Sequence, residues 1–317
     1  MIFLVKKEMV KARDRYGDTL VKLGELNKDI VVLDADLSKS TKTIKFGKKF
    51  PDRFFEMGIA EANMITAAAG LSSCGKIPFV STFAVFATGR VYDQIRMDVA
   101  YSNSNVKIFA THGGITVGKD GASHQMIEDV GLMRILPNMA VFCPSDAVQT
   151  EKLVQIMAEK EGPVYARVGR PSTPILYDWG DVKDLKVGEG KVIRDGEDIT
   201  IFAYGTRVST ALDAAKKLSK DDIDVRVVDM YCVKPLDVDL IKNCCDETNG
   251  LITLEEHSII GGLGSAVAET IADWNLDISF RRMGVQDVFC ESGSPDDLLK
   301  KYGLDVKSVV KQVKNMV

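Results

Sequence analysis

Apolar positions along the chain fall into two alternating patterns. Met9, Val10, Tyr16, Leu20, Leu23 and Leu26 recur at helix-like spacing through residues 7–28. Ile30-Val31-Val32-Leu33 is apolar without interruption, as parallel strands buried on both faces are. It runs into Asp34-Ala35-Asp36-Leu37-Ser38-Lys39-Ser40, a polar turn at the strand's carboxyl end. Strands are predicted over 54–57, 78–82, 106–111, 139–143 and 164–167, and helices near 61–73, 87–101, 125–135 and 146–160. That alternation predicts an α/β fold on an open, doubly wound parallel sheet. Ligands of such sheets bind beyond the carboxyl ends of the strands. The polar turns at 34–40, 58–61, 82–86 and 111–124 all fall there.

Residues 169–188 lack clear periodicity and are punctuated by Pro171, Pro174, Gly180 and Gly188. They read as a linker between a first domain, 1–178, and a second, 189–317. In the second domain, 199–204, 225–229, 250–255 and 278–283 read as strands and the stretches near 207–218, 237–245, 264–274 and 295–315 as helices. Asp195-Gly196 suggests a hairpin turn. Both halves are therefore α/β, without a sequence repeat.

Composition narrows the partners. A chain of 317 residues suits two domains, and 45% apolar with 27% charged residues suits a soluble globular protein. A net charge of −4 provides no basic field for nucleic acid or an anionic membrane. No apolar run approaches the roughly 20 residues of a membrane span. Met1-Ile2-Phe3-Leu4-Val5-Lys6-Lys7 places its charges after its apolar patch, the reverse of a secretory signal. The six cysteines form no Cys-x-x-Cys pair, so a reducing, cytoplasmic setting is expected.

Candidate chemistry gathers at the strand ends. Gly58 permits a sharp exit from an extended segment, and Glu61 opens the apolar helix that follows; alone, such a glutamate equally suits the helix dipole. Phe83 and Phe86, three apart at a strand terminus, could wall a flat ring or simply pack the core. His112-Gly113-Gly114-Ile115-Thr116-Val117-Gly118-Lys119-Asp120-Gly121-Ala122-Ser123-His124-Gln125 holds four glycines, an aspartate and two of the chain's three histidines. A loop that concentrates titratable groups at the binding edge points to a site. The spacing of His112 and His124 is wrong for a helical metal pair, so hydrogen bonding and proton transfer are expected and no metal ligand is assigned. Arg167-Val168-Gly169-Arg170-Pro171 ends the last strand of the first domain, where arginines suit a phosphate or carboxylate or form a solvated pair. Ile260-Gly261-Gly262-Leu263-Gly264 lacks the full dinucleotide pattern and reads as a tight turn opening a helix, with His257 structural or at a subunit contact.

Together these stretches resemble the C-terminal half of transketolase, as found in the separate subunit of a two-chain enzyme. The resemblance spans essentially all 317 residues: a thiamine diphosphate pyrimidine-binding domain, a linker and a transketolase C-terminal-type α/β domain. It implies that Glu61, in Gly58-Ile59-Ala60-Glu61, bonds the aminopyrimidine of thiamine diphosphate, with Ile59 beside it. Phe83 and Phe86 would wall the ring, and Asp36 would lie near the cofactor and the subunit interface. Ser40 and Arg167 would hold a sugar phosphate. His112, Asp120 and His124 would contact substrate, the histidines with catalytic roles. The implied reaction moves a two-carbon ketol unit from a ketose phosphate to an aldose phosphate, within the pentose phosphate pathway. No Gly-Asp-Gly run followed by asparagine is present, so the diphosphate and Mg²⁺ are expected mainly on a transketolase N-terminal subunit, two copies of each chain making the active assembly. Three alternatives remain open: a 1-deoxyxylulose-5-phosphate synthase-like enzyme, a 2-oxo-acid dehydrogenase β-type subunit, and a silent assembly subunit.

Overall fold

The computed structural model describes residues 6–317, with the side chains of residues 6 and 7 left aside. Most of the charge-after-apolar start therefore lies outside the described residues. Fourteen strands form three sheets among them. In chain order they are β1 (Lys6–Val10), β2 (Ile30–Asp34), β3 (Phe54–Glu56), β4 (Ile77–Phe83), β5 (Lys107–Thr111), β6 (Ala140–Phe142) and β7 (Val164–Arg167). Then come β8 (Thr173–Ile175), β9 (Lys191–Arg194), β10 (Ile199–Ala203), β11 (Val225–Asp229), β12 (Cys232–Lys234), β13 (Gly250–Ser258) and β14 (Ser279–Val285).

The first large sheet has the order β12-β6-β7-β5-β4-β2-β3 and is parallel except for β12. Its inner strands are buried on both faces because successive side chains enter different cores, while the edge strand β3 is largely exposed. Ile30 and Val32 join Phe79, Phe109 and the helices Ala12–Leu26 and Ala147–Glu159. Val31 and Leu33 join Met64, Ile65 and Ala68 of helix Glu61–Ser73 on the opposite face. The second sheet, β14-β13-β10-β11-β9, is parallel apart from β9. Phe202, Val228 and Leu251 from this sheet enter the same apolar cluster as Leu33 and Ile108, so one core runs through both domains.

Several expectations are corrected. Residues 7–10 are strand rather than helix, because Met9 and Val10 pair with Pro174 and Thr173 on β8; a partner remote in sequence overrides their helical spacing. The predicted linker thus contains a strand, and also the short helix Trp179–Val182, capped reciprocally by Asp178 and Asp181. Asp195-Gly196 closes no hairpin, since β9 pairs with β11 and not with the adjoining β10. The Asp195 carboxylate instead accepts bonds from Gly196 N–H and Arg226. The helix expected over 87–101 is broken into Ala84–Thr88, Tyr92–Gln94 and a π-helical turn Ile95–Tyr101. The helix expected over 125–135 shortens to Asp129–Arg134, because Met126 pairs with Gly114. The stretch 295–315 divides into Pro295–Lys301 and Val306–Lys314 at Gly303, where φ is +70°.

Candidate active site

Five strands of the first sheet, β3, β2, β4, β5 and β7, deliver their carboxyl ends to one edge. At the β3 exit Gly58 has φ +67°, open to an L side chain only with strain, and the chain turns into helix Glu61–Ser73. Glu61 is the first residue of that helix and only 3% exposed. Ile59, in the turn, is 75% exposed. Asp36, beyond β2, is exposed, and its N–H donates to Glu56 Oε1 at 2.6 Å. Asp36 and Ile59 therefore stand on the open rim of this edge.

The aromatic pair and the histidine loop meet. Phe83 and Phe86 lie 6.1 Å apart between ring centroids with planes inclined by 13°. His112 stacks on Phe83 at 3.8 Å, and His124 meets Phe86 edge-on at 5.6 Å. Arg90 joins this group to Glu61: its Nη1 donates to Glu61 Oε1 at 2.8 Å while its guanidinium covers Phe86 at 4.2 Å. Nothing in the pattern of the sequence singles out Arg90, although it stands four residues after Phe86.

His112 takes a left-handed backbone, φ 62°, a conformation that costs about 1–3 kcal/mol and is characteristic of functional sites. Arg13 donates to its Nε2 at 3.2 Å. An arginine has no acceptor to offer, so Nε2 supplies a lone pair and Nδ1–H donates to Thr111 Oγ1 at 2.8 Å. Burial, reinforced by Arg13, Arg170 and His124, pulls the His112 pKa down to about 3. The imidazole is thus neutral, a hydrogen-bonding group in a cationic surrounding. Asp120 is exposed, with Oδ2 3.9 Å from Arg170, and half-buried His124 shares a 3.0 Å bond between Nδ1 and Ser123 Oγ.

Two phosphate candidates separate. Ser40 is half-buried on the turn Ser38–Thr41, which lies against β4. That turn is tied to Asp34, whose carboxylate accepts from Leu37 N–H at 2.8 Å and from the hydroxyls of Thr41 and Thr43 at 2.6 and 2.8 Å. Burial pushes the Asp34 carboxyl up to about 6. Arg167, by contrast, is occupied by partners within the protein. It is buried, donating to Asp129 Oδ1 at 2.7 Å and to the Glu256 carbonyl at 3.0 Å. Two cations beside His112 remain closer to solvent: Arg170, donating to the Val117 carbonyl yet 44% exposed, and half-buried Arg13, which bonds the Arg170 carbonyl at 3.2 Å. Arg13 lies in the first helix, where sequence gives no sign that it returns to the loop 99 residues later.

The Gly261–Gly264 turn needs no ligand. Leu263 and Gly264 N–H groups, at the start of helix Leu263–Asp273, donate to Glu255 at 2.9 and 2.7 Å. His257 is fully buried, accepting from Gly131 N–H at 3.2 Å.

Comparison with known proteins agrees with this geometry. Residues 8–175 match the model of the transketolase pyrimidine binding domain, and residues 188–309 that of the transketolase C-terminal domain. A solved structure described as a split gene transketolase, inactive β4 tetramer, is 52% identical, with a TM-score of 0.90 over 97% of this chain and 98% of that one. The "Putative transketolase C-terminal section" of Methanocaldococcus jannaschii is 50% identical over 95% of this chain and 94% of its own length. A 6-deoxy-6-sulfo-D-fructose transketolase subunit of a Clostridium species is 39% identical over 98% and 95% of the two chains.

Proposed function

Since the chain belongs to the transketolase family, we propose that it is the C-terminal, pyrimidine-binding subunit of a two-chain transketolase acting on sugar phosphates. The observation that carries this reading is the convergence of buried Glu61, the Phe83–Phe86 pair and neutral His112 at one sheet edge. The residues suit thiamine diphosphate: a carboxylate in an apolar setting meets a protonated ring nitrogen, and the aromatic pair meets the flat face of the ring. When bound, that cofactor supplies the carbon nucleophile that carries the two-carbon unit. The chain's own residues orient and hold. Glu61 holds a ring proton, Phe83 and Phe86 exclude water from the ring, and His112 Nε2 accepts a bond from a sugar hydroxyl once Arg13 yields it. Asp120 and His124 face the same sugar, and Asp36 and Ile59 border the cofactor and the subunit interface.

Phosphate recognition is assigned to Arg170 and Arg13, with Ser40 across the edge. Both arginines are positioned beside His112, and their charges give this edge a positive field that favours an anion. The diphosphate and Mg²⁺ belong mainly to an N-terminal subunit, in an assembly of two copies of each chain placed in the cytoplasm. The 52% identical neighbour, described as an inactive β4 tetramer, supports a need for a second chain. Relatives named for 6-deoxy-6-sulfo-D-fructose and apulose-4-phosphate share this scaffold, and the cationic rim supports an anionic sugar such as the ketose and aldose phosphates of the pentose phosphate pathway. The deciding experiment combines the purified chain with thiamine diphosphate and Mg²⁺, and assays ketol transfer with and without a diphosphate-binding subunit. Activity only in the pair is expected; full activity from this chain alone would overturn the two-chain reading.

A further inference from the structure

The C-terminal domain grips the loop carrying His112, Asp120 and His124 from behind. Its polar grip is Glu256 on β13, which is 3% exposed. Glu256 Oε1 accepts from Thr116 N–H at 2.7 Å and from Thr116 Oγ1–H at 2.6 Å. Oε2 accepts from Thr206 Oγ1–H at 3.0 Å and lies 3.6 Å from Nε of buried Arg207. The approach is so close that a Cβ on Gly114, where φ is +82°, would stand 2.3 Å from Oε1. An apolar grip accompanies it. Ile115 and Ile127 are buried in the core of the C-terminal domain beside Ile201, Leu254 and Val285. The far side of the loop is tied as well: Ser292 Oγ donates to the Lys119 carbonyl at 2.7 Å and Gln125 Nε2 to the Glu291 carbonyl at 3.0 Å.

Both carboxylate oxygens of Glu256 are committed, and a buried guanidinium balances the charge. A buried network satisfied in this way holds one arrangement and resists others. Thr116, its partner, stands four residues after His112 and four before Asp120. Glu61 and Arg90 are held by the first sheet and its helices and receive no hydrogen bond from this network; Phe83 and Phe86 meet the loop only through the rings of His112 and His124.

We propose that Glu256 is a positioning residue for sugar recognition: acting through Thr116, it fixes His112 and Asp120 against the substrate, while Glu61 stays outside the network. The C-terminal domain thereby sets substrate affinity from behind the loop. The proposal rests on the transketolase reading and makes a prediction that a merely structural role would not, namely a split between sugar and cofactor binding.

The test uses Thr116→Val, Thr116→Ser and Glu256→Gln in the chain paired with its diphosphate-binding subunit, together with amide hydrogen exchange on the chain alone. Thr116→Val and Glu256→Gln are expected to raise KM for a ketose phosphate about tenfold, the loss of one hydrogen bond to a charged group. Affinity for thiamine diphosphate should change much less than KM, because Glu61 lies outside the network, and Thr116→Ser should restore KM. In the isolated chain, amides of residues 114–124 should exchange about tenfold faster in Thr116→Val while those of helix Glu61–Ser73 do not change. Unaltered loop exchange, an unaltered KM beside faster exchange, or equal losses in sugar and cofactor affinity would each overturn the proposal. A wild-type pair that transfers no ketol unit sinks the functional reading instead, and the exchange comparison then judges the grip of Glu256 by itself.

Discussion

Arg90 lies across Glu61, with a 2.8 Å hydrogen bond to Oε1 and its guanidinium 4.2 Å from the Phe86 ring. One cation occupies both the carboxylate and the ring face that the proposed function gives to an aminopyrimidine. Arg90 is 47% exposed and so leaves at little cost. Arg90→Ala should tighten thiamine diphosphate binding by up to about fivefold, the equivalent of a partly solvated ion pair worth under about 1 kcal/mol. Calorimetric titration of the paired enzyme measures it, and weaker binding would make Arg90 a cofactor contact instead of a placeholder.

Glu61→Gln tests the carboxylate itself. The amide keeps the size and the helix start but cannot hold the ring proton. Turnover should fall by about 10²–10⁴ with the thermal midpoint little changed. Near-normal kcat would remove Glu61 from the chemistry.

The arginines predict opposite phenotypes. Arg170→Ala should raise KM for a phosphorylated ketose far more than for hydroxypyruvate, leaving stability intact. Arg167→Ala should lower unfolding free energy by about 3–5 kcal/mol, because Asp129, fully buried, loses its ion-pair partner. An Arg167→Ala chain of ordinary stability with a raised phosphate-donor KM would return the phosphate contact to Arg167.

Two buried acids and bases shape stability against pH in opposite senses. The folded His112 pKa, about 3, lies below the ordinary imidazole value near 6.5. The unfolded chain therefore binds the proton first, and the stability due to His112 is whole above pH 6.5 and lost as pH falls towards 3. His112→Gln should flatten that part of the urea-midpoint profile. A profile identical to wild type between pH 4 and 6.5 would contradict a neutral His112.

Asp229 runs the other way. It is fully buried, and Ser145, Tyr177 and Gln149 all donate to Oδ2 while Oδ1 has no partner. Burial, opposed by those bonds, pushes its carboxyl up to about 7. Its contribution is whole below pH 3.8 and is lost as pH rises through 7. Asp229→Asn should gain stability relative to wild type between pH 5 and 8, and a difference that does not vary with pH would refute the assignment.

Much of this was legible because local patterns carry it. Uninterrupted runs such as Ile30–Leu33 announce parallel strands, and the glycine-rich stretch from His112 announces a loop at their ends. Residues whose role depends on a distant partner were not legible. Met9 and Val10 become strand only against β8, Arg13 reaches His112 only after the sheet is formed, and Asp129 claims Arg167 only in the folded core. Glu256 was in plain sight before the Gly261 turn, yet a buried carboxylate leaves no periodic signature. The family resemblance pointed to Glu61 and the loop, whereas the burial of Arg167 and the exposure of Arg170 emerge only from geometry.

The strand β12, contributed by the chain after the interdomain segment, completes the outer edge of the first sheet by pairing with β6. The two segments are consequently not exchangeable cassettes. Severing the backbone between residues 178 and 189 should yield fragments that stay clasped, whereas a gene truncated there would uncover the edge of β6 and invite strand-to-strand aggregation. Recombination that swaps one half for a foreign homologue must bring a matching edge strand with it, and so this architecture favours inheritance of the pair as a single unit.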